Sequence, residues 1–160
     1  MAPAHRTLLV LEPALVHAPP APGMDARVSA AIDRLADATD AAVVVYPYGG
    51  TPPERVHAHL MDADVTALGH DFIAAPDDAL YTINEYRTTD EVAMGILPID
   101  GPWLGARALR NRTRSIVEAV PAQSFETIHL LPDSPLRGVA PSALSSLLAP
   151  LAQACADPLS

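Results

Sequence analysis

The segment Ala41-Ala42-Val43-Val44-Val45-Tyr46 restricts the folds open to this chain more than any other feature. Three β-branched residues in series lose side-chain freedom in a helix and pack well on a pleated surface, so the segment suits a buried strand. Leu8-Leu9-Val10-Leu11, bounded by Arg6 and Pro13, is a second continuous apolar run. Such a run reads as a strand covered on both faces, the pattern of a parallel sheet.

Helical patterns separate and follow these strands. After the Pro-rich stretch 17–23, residues 25–37 place Val28, Ala31, Ile32 and Leu35 at helical spacing, with Arg and Asp opposite. Pro47-Tyr48-Gly49-Gly50 reads as a turn. Thr51 with Glu54 three residues on forms a capping-box pattern for a helix presenting Val56, Leu60 and Ala63. Strand–helix–strand–helix order predicts an α/β fold, a three-layer, doubly wound, mainly parallel sheet.

The middle of the chain is read with less pattern. Residues 71–75 suit a short strand, 79–86 a further strand or an irregular excursion, and 89–94 a helical turn, so 71–100 reads as a cap-like or irregular excursion. Regularity returns with a helix over 103–120, a strand over 126–131 stopped by Pro132, and a helix over 141–154 that Pro150 should kink. No repeat or linker interrupts the chain, so 1–160 is expected to be a single domain.

Composition excludes several functions. Apolar residues make up 49% against 18% charged, enough for a core and too apolar for a disordered chain. The formal charge of −9 comes from 19 acids and 10 bases, and every base is arginine. Without lysine there is no Schiff base and no phosphate-loop lysine. An acidic chain without a basic stripe is not expected to bind nucleic acid. Cys155 is the single cysteine, which fits a reducing compartment, and cytoplasm is the expected location. The apolar run over 7–16 is too short to span a bilayer and contains Glu12, and it lacks signal-peptide organisation, so no membrane association is expected.

Ligands of open parallel sheets sit beyond the carboxyl ends of the strands. That rule selects the loops Glu12-Pro13-Ala14, Tyr46 to Thr51, and Pro132-Asp133-Ser134. Tyr48, Gly50 and Thr51, opening a helix, could hold an anion through free amides and the helix dipole. The plainer reading is a strand-to-helix turn, because phosphate-loop spacing is absent. His57 and His59 would face different sides of a helix, His129 reads as a satisfied core histidine, and Cys155 has no activating base nearby. Arg107, Arg110 and Arg114 align along one helix side with Arg112 beside them. They form either a solvated face or an anion- or partner-docking face, which Trp103 could anchor.

The element order resembles the haloacid-dehalogenase (HAD) family, small bacterial type. The counterparts are LLVLEPALV, RVSAAIDRLADATDAAVVVYPYGG, ALRNRTRSIVEAV, ETIHLLPDSP and RGVAPSALSSLLAPLA. The resemblance implies a Rossmann-like fold with a carboxylate nucleophile and a Mg2+ site. It places Glu12 and Asp133 as catalytic and metal-binding carboxylates, and Arg110 or Arg112 with Tyr48, Gly50 and Thr51 around the phosphoryl group. The motifs are degenerate: Ala14 stands where a proton-transferring acid is needed and Tyr46 where a hydroxyl of Ser or Thr is needed. The expected function is therefore a HAD-like domain that has lost classical phosphatase chemistry and serves as a binding or regulatory module for a small anionic ligand or a protein. A divergent Mg2+-dependent hydrolase of a small phosphate ester and an unrelated flavodoxin-like binding domain remain open beside it; the dinucleotide fingerprint is absent.

Overall fold

The computed structural model describes residues 6–156; the stretch before Arg6, included in the signal-peptide reading, lies outside them. Five strands, Thr7–Leu11 (β1), Ala42–Tyr46 (β2), Ala67–Asp71 (β3), Glu91–Leu97 (β4) and Thr127–Pro132 (β5), form one parallel sheet in the order β1-β2-β3-β4-β5. The helices are Ala14–His17 (α1), Ala26–Asp37 (α2), Glu54–Met61 (α3), Pro76–Tyr86 (α4), Ala106–Ala119 (α5) and Pro141–Ala156 (α6). This is an α/β fold of the Rossmann-like kind with a curled, all-parallel sheet. Among the described residues no helix is long and apolar enough to cross a membrane.

The register defines two faces. Val10, Val45, Leu68, Val92 and Ile128 lie on adjacent rungs and share one face; Leu9, Val44 and Ala67 share the other. Both large apolar clusters join helices to the first face. One packs Leu15, Ile32, Val56 and Leu60 on Val43, Val45 and Leu68; the other packs Ile83, Leu109, Ile116 and Leu147 on Val92, Met94 and Ile96. Each fully buried Val or Leu contributes about 2 kcal/mol. The second face carries the small cluster Val44, Ala67 and Ala93, packed by Leu131. Because the strand order is sequential, the sheet has no reversal of direction at which a switch-point crevice would open.

Three expectations are corrected. The 71–100 stretch is no excursion: it contributes α4 and the interior strand β4, with β3 just ahead of it. Residues 79–86 are helical rather than extended, and 89–94 enter a strand rather than a helical turn. β1 is an edge strand with alternating exposure, not a strand covered on both faces. Its apolar run matched a central strand because both faces carry leucine or valine, and only the neighbours decide how many faces are covered.

Candidate functional site

The carboxyl edge of the sheet is organised around a residue that no local motif marks. Asp71 ends β3, is 1% exposed, and accepts three backbone hydrogen bonds. Ile73 and Ala74 donate to its Oδ1 (2.9 and 2.8 Å), and Gly49 donates to its Oδ2 (2.8 Å). Three amide donors compensate the loss of water around a buried carboxylate. Asp71 thereby ties the β3–α4 turn to the β2–α3 loop, from a donor 22 residues away.

This bond alters the anion-site reading of the β2–α3 loop. The Gly49 amide points at the protein's own carboxylate. Pro52 and Pro53 have no amide hydrogens, and α3 begins at Glu54 after Pro53 with no side-chain cap. The Thr51–Glu54 capping box is therefore absent; instead the Thr51 hydroxyl is buried without a hydrogen-bond partner. Gly50 is buried and Tyr48 half-buried. α1 closes over the loop: a Cβ on Gly49 would lie 2.4 Å from His17 Nε2, and one on Gly50 2.9 Å from Val16 Cγ1. An incoming anion would meet the charge of Asp71 where it needs donors.

The other expected site residues are engaged locally. Glu12 Oε1 accepts from the Ala14 amide (2.9 Å), closing the turn after β1. Asp133 Oδ1, just after β5, accepts from the Ile99 amide (3.1 Å) and bonds the Ser134 hydroxyl (3.2 Å). The two carboxylates thus follow the two outermost strands of the sheet. On α5, Arg112 donates to the Ile96 carbonyl (2.9 Å) and Arg110 to the Gln153 carbonyl of α6 (3.4 Å). Among the described residues no group of three or more His, Cys, Asp or Glu is placed to hold a metal. Glu12 and Asp133 are each already an acceptor for a backbone amide.

Between these loops lies Tyr46, at the end of β2. Its ring crosses the face opposite the helices and its hydroxyl donates to the Asp133 carbonyl (3.2 Å). Gly69 and Gly95 make room for it: a Cβ would stand 2.6 Å from Tyr46 Cδ2 at Gly69, and 1.8 Å from the hydroxyl oxygen at Gly95. Burial, then the charges of Asp71 and Asp133, push the phenol well above the usual tyrosine range, so it stays a neutral donor. Tyr46 is a structural strut here, not a replacement for a phosphoryl-binding hydroxyl.

On the helix face, His57 of α3 and His70 of β3 are both buried, with ring centroids 5.8 Å apart. His57 Nε2 bonds the Arg87 carbonyl (2.8 Å) and His70 Nε2 bonds the Thr88 hydroxyl (2.9 Å), while His57 Nδ1 has no partner. The H-x-H pair does divide between two environments, since His59 is only half-buried. His129 is half-buried rather than core, and pairs with Glu91 Oε2 on the neighbouring strand (2.9 Å).

An open concavity lies elsewhere. A cavity of about 470 Å³ opens beside β1 and α2, walled by Val10, Leu15, Val28, Ile32 and Leu35, with Glu12 and Arg27 at its lining. No family model matches the chain. No curated protein matches it either.

Proposed function

We propose that this chain is a binding or regulatory α/β domain whose carboxyl edge serves structure rather than phosphoryl transfer. The observation that carries the reading is the commitment of Asp71 to three backbone amides, one of them from the loop that would otherwise receive an anion. The engaged states of Glu12 and Asp133 support it, as do Arg110 and Arg112, whose guanidinium groups reach main-chain carbonyls. The positions of the carboxylates and amides support this role independently of the HAD resemblance. Binding would use the apolar side of the molecule beside β1 and α2, where the cavity opens.

The test is turnover of p-nitrophenyl phosphate and nucleotide monophosphates with Mg2+, alongside thermal melting with the same compounds. The expected result is no turnover above background and no rise in the melting midpoint, since only a ligand of the native state raises it. Mg2+-dependent turnover that disappears in Glu12→Gln would overturn the proposal.

A further inference from the structure

Among the described residues the strand β1 has a free edge, with a two-fold pattern in its own sequence. Ala42 donates to the Arg6 carbonyl (2.9 Å) and Glu12 donates to the Tyr46 carbonyl (3.2 Å), so the even-numbered residues of this segment bond to β2. By the alternation of a parallel ladder, the amides and carbonyls of Thr7, Leu9 and Leu11 point away from the sheet. β1 pairs with β2 alone among the described residues. Edge strands in stable monomers are blunted by lysine, proline, inward charge or a bulge. Thr7–Leu11 has none of these. The opposite edge strand, β5, ends in Pro132 and its ladder with β4 carries an irregularity at Gly95/Leu97.

We infer that β1 is the contact between two copies of this chain, paired antiparallel about a two-fold axis at Leu9. An antiparallel pairing centred there sets Leu9 opposite the partner's Leu9, Thr7 opposite the partner's Leu11, and Leu8 opposite the partner's Val10. The residues that become hydrogen-bonded pairs are Thr7, Leu9 and Leu11, the same three whose main-chain groups face outward. One step further along, Arg6 falls opposite the partner's Glu12, and Glu12 opposite the partner's Arg6. The segment RTLLVLE is thus complementary to itself in charge as well as in hydrogen bonding.

The flanks of β1 fit the same partner. On the face opposite the helices, Leu9 and Leu11 are 40% and 38% exposed, and the pairing brings each Leu9 against its mate. On the helix face, Met24 and Leu35 are 41% and 42% exposed beside the cavity. A second copy would bring another apolar helix flank to that side. The product is one continuous sheet running through both chains. The chain's charge of −9 opposes association at long range, and salt near the physiological level screens it.

Sedimentation equilibrium of the full chain across a concentration series, at physiological ionic strength, tests the arrangement. The expected mass is twice the 16.8 kDa of the chain. Leu9→Lys sets two ammonium groups together at the axis and should give monomer with an unchanged circular dichroism spectrum. R6E and E12R each oppose like charges twice, and each should weaken the dimer by about tenfold. Mixing the two single variants, or combining both changes in one chain, restores opposite charges and should restore the dimer. That rescue separates lost pairing from lost folding. A wild-type chain that stays monomeric throughout, a Leu9→Lys chain that stays dimeric, or charge reversals that mixing does not rescue would overturn the inference. Phosphatase turnover in a dimer would count against the proposed function instead.

Discussion

His70 and Asp71 are consecutive, almost equally buried, and point to opposite faces of β3, yet the fold treats them differently. Asp71 has three amides converging on its carboxylate. His70 has one hydroxyl partner and a second histidine as its neighbour, so it is held neutral: burial, then the proximity of His57, lowers it to about 3. His57 is lowered too, by burial against the opposing effect of its bond to the Arg87 carbonyl. Two groups at nearly equal depth thus differ in the number of oriented partners they have. The carboxyl edge on the Asp71 face meets loops, whose amides are available.

The largest effect is expected at Asp71. Asp71→Ala leaves the Gly49, Ile73 and Ala74 amides without their acceptor, and should cost about 4 kcal/mol, measured by urea unfolding. A cost under about 1 kcal/mol would show that water replaces the carboxylate and that the edge is open after all.

Acid should act on the other member of the pair. The unfolded chain binds protons on both histidines near an ordinary value of about 6.5, while the folded chain resists them. Stability is therefore complete above that pH and falls below it, continuing toward about 3 for His70. The loss between pH 7 and pH 4.5 should be about 3 kcal/mol, from unfolding midpoints at each pH. Replacing both rings (His57→Phe with His70→Leu) should flatten that slope. An unchanged slope would assign the acid response to other groups.

Two smaller effects fall on the face opposite the helices. Gly95→Ala places a methyl against the Tyr46 hydroxyl and should cost about 2 kcal/mol by overpacking; a Tyr46→Phe background should recover part of it, a coupling readable in a double-mutant cycle. Tyr46→Phe alone removes the bond to the Asp133 carbonyl and should cost about 1 kcal/mol in thermal or urea unfolding.

Much of the architecture was legible in particular residues. Val43-Val44-Val45 and the Leu8–Leu11 run mark β2 and β1, and the spacing of Val28, Ile32 and Leu35 marks α2. β3 and β4 were not legible. ALGHD and EVAMGIL hold glycine, alanine, histidine and methionine where strands usually show β-branched residues. Gly69 and Gly95 are there because the Tyr46 ring passes over them, which local propensity does not encode. The anion reading of Tyr48, Gly50 and Thr51 followed from a glycine turn ahead of a helix. It could not foresee that Asp71, in a strand hidden from pattern analysis, would take the Gly49 amide.

By itself the sequence determined the class of fold, the strongest strands and helices, and the exclusion of lysine chemistry. These depend on composition and on periodicities of two and 3.6 residues, which are local properties. The tertiary structure alone decided which runs lie at the edge of the sheet, which polar groups are buried, and which carboxylates anchor loops. Those outcomes depend on donors and packing surfaces brought together from segments 20 or more residues apart, as Gly49 and Asp71 are.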